Sequence, residues 1–163
     1  MAHISALQAG GQNRCAFLDM IAHSEIGTAL LAKSDDGYNV LVGSTPEQPL
    51  LFHSYAAHPN VLNSALDSTA AGRYQLLHRW WVAYQAQLHL PDFSPISQDL
   101  VALQQIHERG AMPMIDGGDF MHAVARCSNL WASLPGSQYG QHTNQIADLR
   151  SAYVAAGGTV SDA

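Results

Sequence analysis

Glu25 is the residue whose type and position point first to chemistry. It follows Ile21 by four and Leu18 by seven, so a helix through this stretch puts all three on one face. A carboxyl on a core-directed face loses water, and desolvation favours its neutral form. A neutral carboxyl near pH 7 can donate a proton to a glycosidic oxygen. The competing reading is a solvated, idle glutamate at a fraying helix end, since most glutamates lie at the surface. Two further carboxylates, Asp35 and Asp36, lie in the next loop, where Asp before Gly37 is a common turn signal. Nine histidines invite a metal reading, but His23-Ser24-Glu25 has no following P-C-x-x-C and no H-E-x-x-H occurs. No catalytic metal and no cofactor is expected. Cys15 and Cys127 match no zinc or redox spacing and read as two reduced, buried thiols.

The elements that hold these residues are mostly helical. Residues 1–12, rich in Gly, Ala and Gln, read as a flexible lead-in, and residues 13–163 as one domain. Asn13 is a good N-cap for a first helix from Arg14 to about Ser24 or Glu25, which Gly27 can end. Asp36-Gly37 is a turn signal before Tyr38–Val42, which favours β structure; Leu50–Phe52 is the return segment of a small sheet. Ser68 and Thr69 can cap a helix holding Leu77, Trp80 or Trp81, Tyr84 and Leu88, with the tryptophan pair in the core. Ser94-Pro95 opens another that Gly110 closes. Asp119 can cap a helix to about Ser128, and Thr143 a last one closed by Gly157-Gly158. A small antiparallel β-region after the first helix of a helical domain makes the class α+β.

Composition excludes several functions. Hydrophobic residues make up 47% and charged residues 12%, a globular balance and not a disordered one. The net charge of −6 is the wrong sign for a nucleic-acid or anionic-membrane binder, and suits an uncharged polymer. No window is apolar for the roughly 18 residues a membrane span requires. No secretory leader is visible, so accumulation in the cytoplasm is expected.

Long ordered segments then carry a resemblance. RCAFLDMIAHSE (14–25), STAAGRYQLLHRWWVAYQAQL (68–88), DFSPISQDLVALQQIHERGAMPMID (92–116), RCSNLWASLPGSQYGQ (126–141) and AAGGTV near the end together resemble the lambda-phage type endolysins over nearly all of residues 14–160. The resemblance implies a lysozyme-like fold and a lytic transglycosylase, which breaks the bond between N-acetylmuramic acid and N-acetylglucosamine in peptidoglycan without adding water. It maps the catalytic glutamate onto Glu25. It also implies saccharide contacts at Tyr74 and Gln75, after Gly72-Arg73, at Tyr139 and Gln141 in the PGSQYGQ segment, and at Tyr55, with His58 nearby. Glycan strands would be its partner, a holin would be needed for release from the host cytoplasm to the wall, and a monomer is expected. The alternative is a hydrolytic muramidase using Asp35 or Asp36 as the second carboxylate. The acid–aspartate–threonine spacing of the T-even phage lysozymes, counted from Glu25, falls on Ser34 and Val40, so that pattern is not met.

Overall fold

The computed structural model describes residues 1–136 and 143–161. Eight helices succeed one another among them: α1 (Ala6–Ala9), α2 (Gln12–Ile26), α3 (Thr28–Leu31), α4 (His78–Leu88), α5 (Pro95–Glu108), α6 (Met112–Gly117), α7 (Phe120–Cys127) and α8 (Ile146–Ala155). The chain divides into two compact units, one formed by residues 1–25 with 102–163 and the other by residues 26–101. No helix among the described residues is long and apolar enough to cross a membrane.

In the first unit α2 is the central element. Cys15, Ala16, Phe17, Leu18, Met20, Ile21, Ala22 and Ser24 are all buried, so the helix is enclosed around most of its girth and not along one stripe. Phe17 meets the rings of Phe120 on α7 and Tyr153 on α8 edge-on, each at 6.4 Å. The two thiols, Cys15 and Cys127, are buried and form no disulfide, as expected, and burial pushes the Cys127 pKa up to about 12.

Three local expectations give way in this unit. Residues 1–12 are not a loose lead-in: Ser5 and Gln8 form a reciprocal capping box on α1. Ile4 is 4% exposed, and the Ala2 N–H donates to Asp19 at 2.6 Å. Asn13 lies inside α2 and does not cap it. Its amide donates to the Ile115 carbonyl, and its oxygen accepts from the Thr159 N–H and hydroxyl, each at 3.0 Å. Those tertiary partners take the atoms a cap would use. Asp119 does cap α7, accepting from the His122 N–H, whereas α8 starts after Gln145 without a side-chain cap, so Thr143 has no capping role there.

The second unit holds the β-region, which is smaller than a ladder. Antiparallel bridges join Val40 to Leu51, Leu41 to Ala71, Ala71 to Leu76 and Asn63 to Ser68. The Leu41 N–H donates to the Leu50 carbonyl at 2.9 Å and the Phe52 N–H to the Asn39 carbonyl at 3.0 Å, which sets the expected pairing of the two segments. The turn before it uses Asp36 at φ 46° and Gly37 at φ 86°. The positive φ favours glycine at position 37, where a Cβ would also press on a Leu31 methyl 2.9 Å away.

Phe52, Leu76, Trp81, Leu90, Phe93 and Val101 form the core of this unit. The tryptophan pair splits: Trp81 is 2% exposed and Trp80 51%, with the Arg79 guanidinium 5.6 Å from the Trp80 ring. Helix α4 begins at His78, later than Ser68-Thr69 suggests, yet the Thr69 hydroxyl oxygen accepts from the His78 N–H at 3.2 Å. The N-cap is Leu77, without a side-chain cap, so neither Ser68 nor Thr69 is the cap residue; Thr69 binds the first helical N–H from outside the helix.

Candidate active site

Glu25 is the penultimate residue of α2 and is half-buried. Its side chain is held by a residue more than a hundred positions away: the Ser133 hydroxyl donates to Glu25 Oε1. Ser133 accepts in turn from the Ser24 hydroxyl at 2.8 Å. Ser24 accepts from the Asn144 amide at 2.9 Å. The same Asn144 nitrogen donates to the Ser24 carbonyl at 3.1 Å, and the Asn144 N–H to the Ser133 carbonyl at 2.9 Å. Burial raises the Glu25 pKa above the ordinary carboxylate value, opposed by the Ser133 hydroxyl and backbone N–H, which favour the ionised form. Such a carboxyl keeps a proton to higher pH than a solvated one and can still take a proton back, as general acid–base work demands.

The remaining sequence-derived residues lie in the second unit or outside the described chain. Tyr74 is buried, and its hydroxyl donates to Asp99 at 2.6 Å beside that of Tyr38 at 2.8 Å. The expectation of a sugar contact at Tyr74 is corrected on that ground: its hydroxyl is spent on a fully buried carboxylate and its ring is enclosed. Gln75 is half-buried with φ 49°, and its amide donates to the Gly72 carbonyl at 2.9 Å, so part of its hydrogen-bonding capacity holds its own turn. Tyr55 is half-buried, with an edge contact to Phe52 and its hydroxyl donating to Asp35 at 2.5 Å. Burial, then that bond, push the Tyr55 pKa up. Tyr139 and Gln141 fall outside the described residues.

The two loop carboxylates differ in what they hold. Asp36 pairs with Arg73 at 2.9 Å, and the Arg73 side chain is 2% exposed. A buried guanidinium without its counter-charge is costly, which gives Asp36 a structural task. Asp35 is exposed and bound through Tyr55. His58 is buried with Nε2 donating to the Leu76 carbonyl at 2.8 Å and Nδ1 accepting from the Asn60 N–H at 3.1 Å, so both ring nitrogens are committed. No three of His, Cys, Asp and Glu gather as a potential metal site among the described residues.

Ser24, Ser133 and Asn144 are the members of the Glu25 site that sequence reasoning missed. Ser24 adjoins Glu25 and could have been suspected. The other two are joined to it by folding alone, and no local spacing signals them.

Comparison with known proteins bears on this arrangement. A family model described as Endolysin matches residues 15–160. The endolysin of Escherichia phage lambda is 54% identical over 154 residues, covering 91% of this chain and 94% of that protein. The endolysin of Escherichia phage P2 is 46% identical over 157 residues, covering 90% and 94%. Among solved structures, bacteriophage lambda lysozyme complexed with a chitohexasaccharide superposes with a TM-score of 0.84 at 52% identity, covering 99% of this chain and all of that one. A second structure of bacteriophage lambda lysozyme gives 0.80 at 50% identity.

Proposed function

The chain belongs to the Endolysin family and has the lysozyme-like fold, and from that premise we propose that it is a lytic transglycosylase with Glu25 as its acid and base. At the coarser level it is a lysozyme-like phage endolysin acting on peptidoglycan. The observation that carries the finer reading is the state of the carboxylates. Glu25 is half-buried, with burial raising its pKa, while Asp36 is paired with the buried Arg73.

In the proposed reaction the Glu25 proton passes to the glycosidic oxygen of the departing N-acetylglucosamine. The carboxylate so formed takes the proton from the C6 hydroxyl of the muramic sugar. That oxygen attacks the anomeric carbon as the old bond breaks, closing a 1,6-anhydro ring. Glu25 ends protonated as it began, and no water is consumed. The nucleophile is already attached to the substrate, so the entropy of bringing it up is saved.

Residues 13–163 act as one catalytic domain in this reading, with Tyr55, Gln75, Tyr139 and Gln141 as saccharide contacts. The oligosaccharide held by the related lambda lysozyme supports a glycan substrate. Release from the host cytoplasm through a holin, and action as a monomer, belong to the same reading. The competing reading is a water-using muramidase, for which the exposed Asp35 is the better placed of the two loop carboxylates. Mass analysis of digested peptidoglycan decides between them. Anhydromuramic ends, lighter by one water than reducing ends, are expected; reducing ends alone would overturn the assignment.

A further inference from the structure

The Asn144 amide has two hydrogens, and its two shorter contacts are to the Ser24 carbonyl at 3.1 Å and the Ser24 hydroxyl at 2.9 Å, with the Ser133 carbonyl at 3.5 Å. The Asn144 nitrogen is identified by its partner, because the Ser24 carbonyl can only accept. Ser24 Oγ therefore accepts from Asn144 and must send its own proton onward to Ser133 Oγ, 2.8 Å away. Ser133, having accepted, sends its proton to Glu25 Oε1. A donor-only group thus sits at one end of the relay and the carboxyl at the other. A proton on Oε1 would face the Ser133 proton, and reversing the relay would turn the Ser24 proton onto the Asn144 amide hydrogens. We propose that Ser24, Ser133 and Asn144 are positioning residues which form a one-way hydrogen-bond relay, fixing Glu25 Oε1 as an acceptor and confining the transferable proton to Oε2.

This inference rests on Glu25 being the acid, but its geometry stands apart from the identity of the substrate. The relay supplies hydrogen bonds that polarise one another and oppose the desolvation of the carboxyl. Titratable groups on the flanking elements, His23 on α2 and Asp148 and Arg150 on α8, are not among the causes of the Glu25 shift; those are burial and Ser133. Removing the Ser133 hydroxyl therefore leaves only the Ser133 backbone N–H to oppose desolvation, and the Glu25 pKa rises further.

The sequence contains three glutamates, Glu25, Glu47 and Glu108, so carbon-13 labelling of glutamate carboxyls gives a readable titration, with Glu25→Gln assigning its signal. Ser133→Ala is expected to raise the Glu25 pKa by about one unit, the order that losing a hydrogen bond to a charged group implies. The alkaline limb of kcat/KM for wall lysis should move up with it, and kcat should fall on the order of tenfold to a hundredfold as the carboxyl loses its orientation. Ser133→Thr, which keeps the hydroxyl, should recover most of the wild-type titration. Asn144→Asp replaces the donor by an acceptor, lets the relay reverse, and should raise the pKa more than Asn144→Ala. A merely structural role would lower the melting temperature and leave the titration of the folded protein where it was. An unchanged Glu25 pKa in folded Ser133→Ala, or equal shifts in Ser133→Thr and Ser133→Ala, overturns the relay. Shifted titrations together with full lysis by Glu25→Gln would sustain the relay and defeat the catalytic reading instead.

Discussion

A carboxyl that must give up a proton and then recover one works best when its pKa lies near the working pH. Burial moves Glu25 in that direction and Ser133 limits how far. Glu25→Gln is nearly isosteric and should fold, yet lose wall lysis by at least the hundred- to ten-thousand-fold that general acid–base help is worth, roughly. It should also melt higher than the wild type at neutral pH. The sign follows from linkage: a group whose folded pKa is raised contributes stability at low pH that is lost as pH rises through that value. Glutamine does not titrate and is spared the loss, so the two melting temperatures should converge as the pH is lowered below the unfolded carboxyl's value. Clearing of walls by the folded Gln variant at near wild-type rate would remove Glu25 from the mechanism. Tyr74 makes the opposite case. Its hydroxyl is one of two that Asp99 accepts, so Tyr74→Phe should cost about 1–3 kcal/mol in denaturant unfolding and leave kcat largely intact. For Glu25, register with Leu18 and Ile21 leaves an idle surface glutamate as the stronger reading, and the resemblance to the lambda-type endolysins singles it out. Tyr74 was misread because an enclosed tyrosine and a sugar-facing one are the same letter, and only burial separates them.

At the scale of elements, helix starts were readable where the cap is adjacent and unreadable where tertiary contacts claim it. Asp119 precedes α7 and caps it. Asn13 has the right type in the right place, but its side chain joins Ile115 to Thr159. Thr69 was singled out as a cap, yet residues 70–77 between it and α4 carry the bridges from Ala71 to Leu41 and Leu76. The helix therefore opens only at His78, after Leu77 at the N-cap, and Thr69 reaches the His78 N–H from outside it. Alternation in a stretch that pairs for one or two residues is too short to distinguish from a helix lead-in. The short α1, α3 and α6 escaped for the same reason: four to six residues contain barely one helical period. Thr69→Val keeps the shape and removes the oxygen, so it should lower stability by about 1 kcal/mol, whereas Thr69→Ser should restore most of it. Chemical denaturation of the pair reads this directly, and equal stability of Val and Ser variants would show that the Thr69 bond contributes nothing.

For the molecule as a whole, the choice between adding water and closing an anhydro ring turns on whether a second carboxylate takes part. The family resemblance extends over nearly the full chain and implies the ring-closing route, but the similar solved structures, named lysozyme, leave the route open. Asp36 is a poor probe of it, because losing its charge removes an ion-pair partner of the buried Arg73 guanidinium and a fall in activity would then report lost stability. Asp35 is the clean probe. It is exposed, and its bond to Tyr55 is the contact at stake. Asp35→Asn keeps an oxygen that can accept from Tyr55 while removing the charge a hydrolytic mechanism would use. In the single-carboxyl mechanism this variant should retain most wall lysis, within a few-fold, since its contribution is limited to an exposed hydrogen bond of about 1 kcal/mol or less. Digestion in heavy-oxygen water supplies the complementary measurement. Ring closure breaks the glycosidic bond with oxygen already present in the sugar, so the new muramic end should contain no label. Hydrolysis must place one solvent oxygen on the anomeric carbon at every cut. An unlabelled product from both wild type and Asp35→Asn, at comparable rates, is the outcome that Glu25 acting alone demands. Labelled reducing ends in the wild type, together with a loss of several orders of magnitude in Asp35→Asn, would make the enzyme a two-carboxylate hydrolase on the same fold.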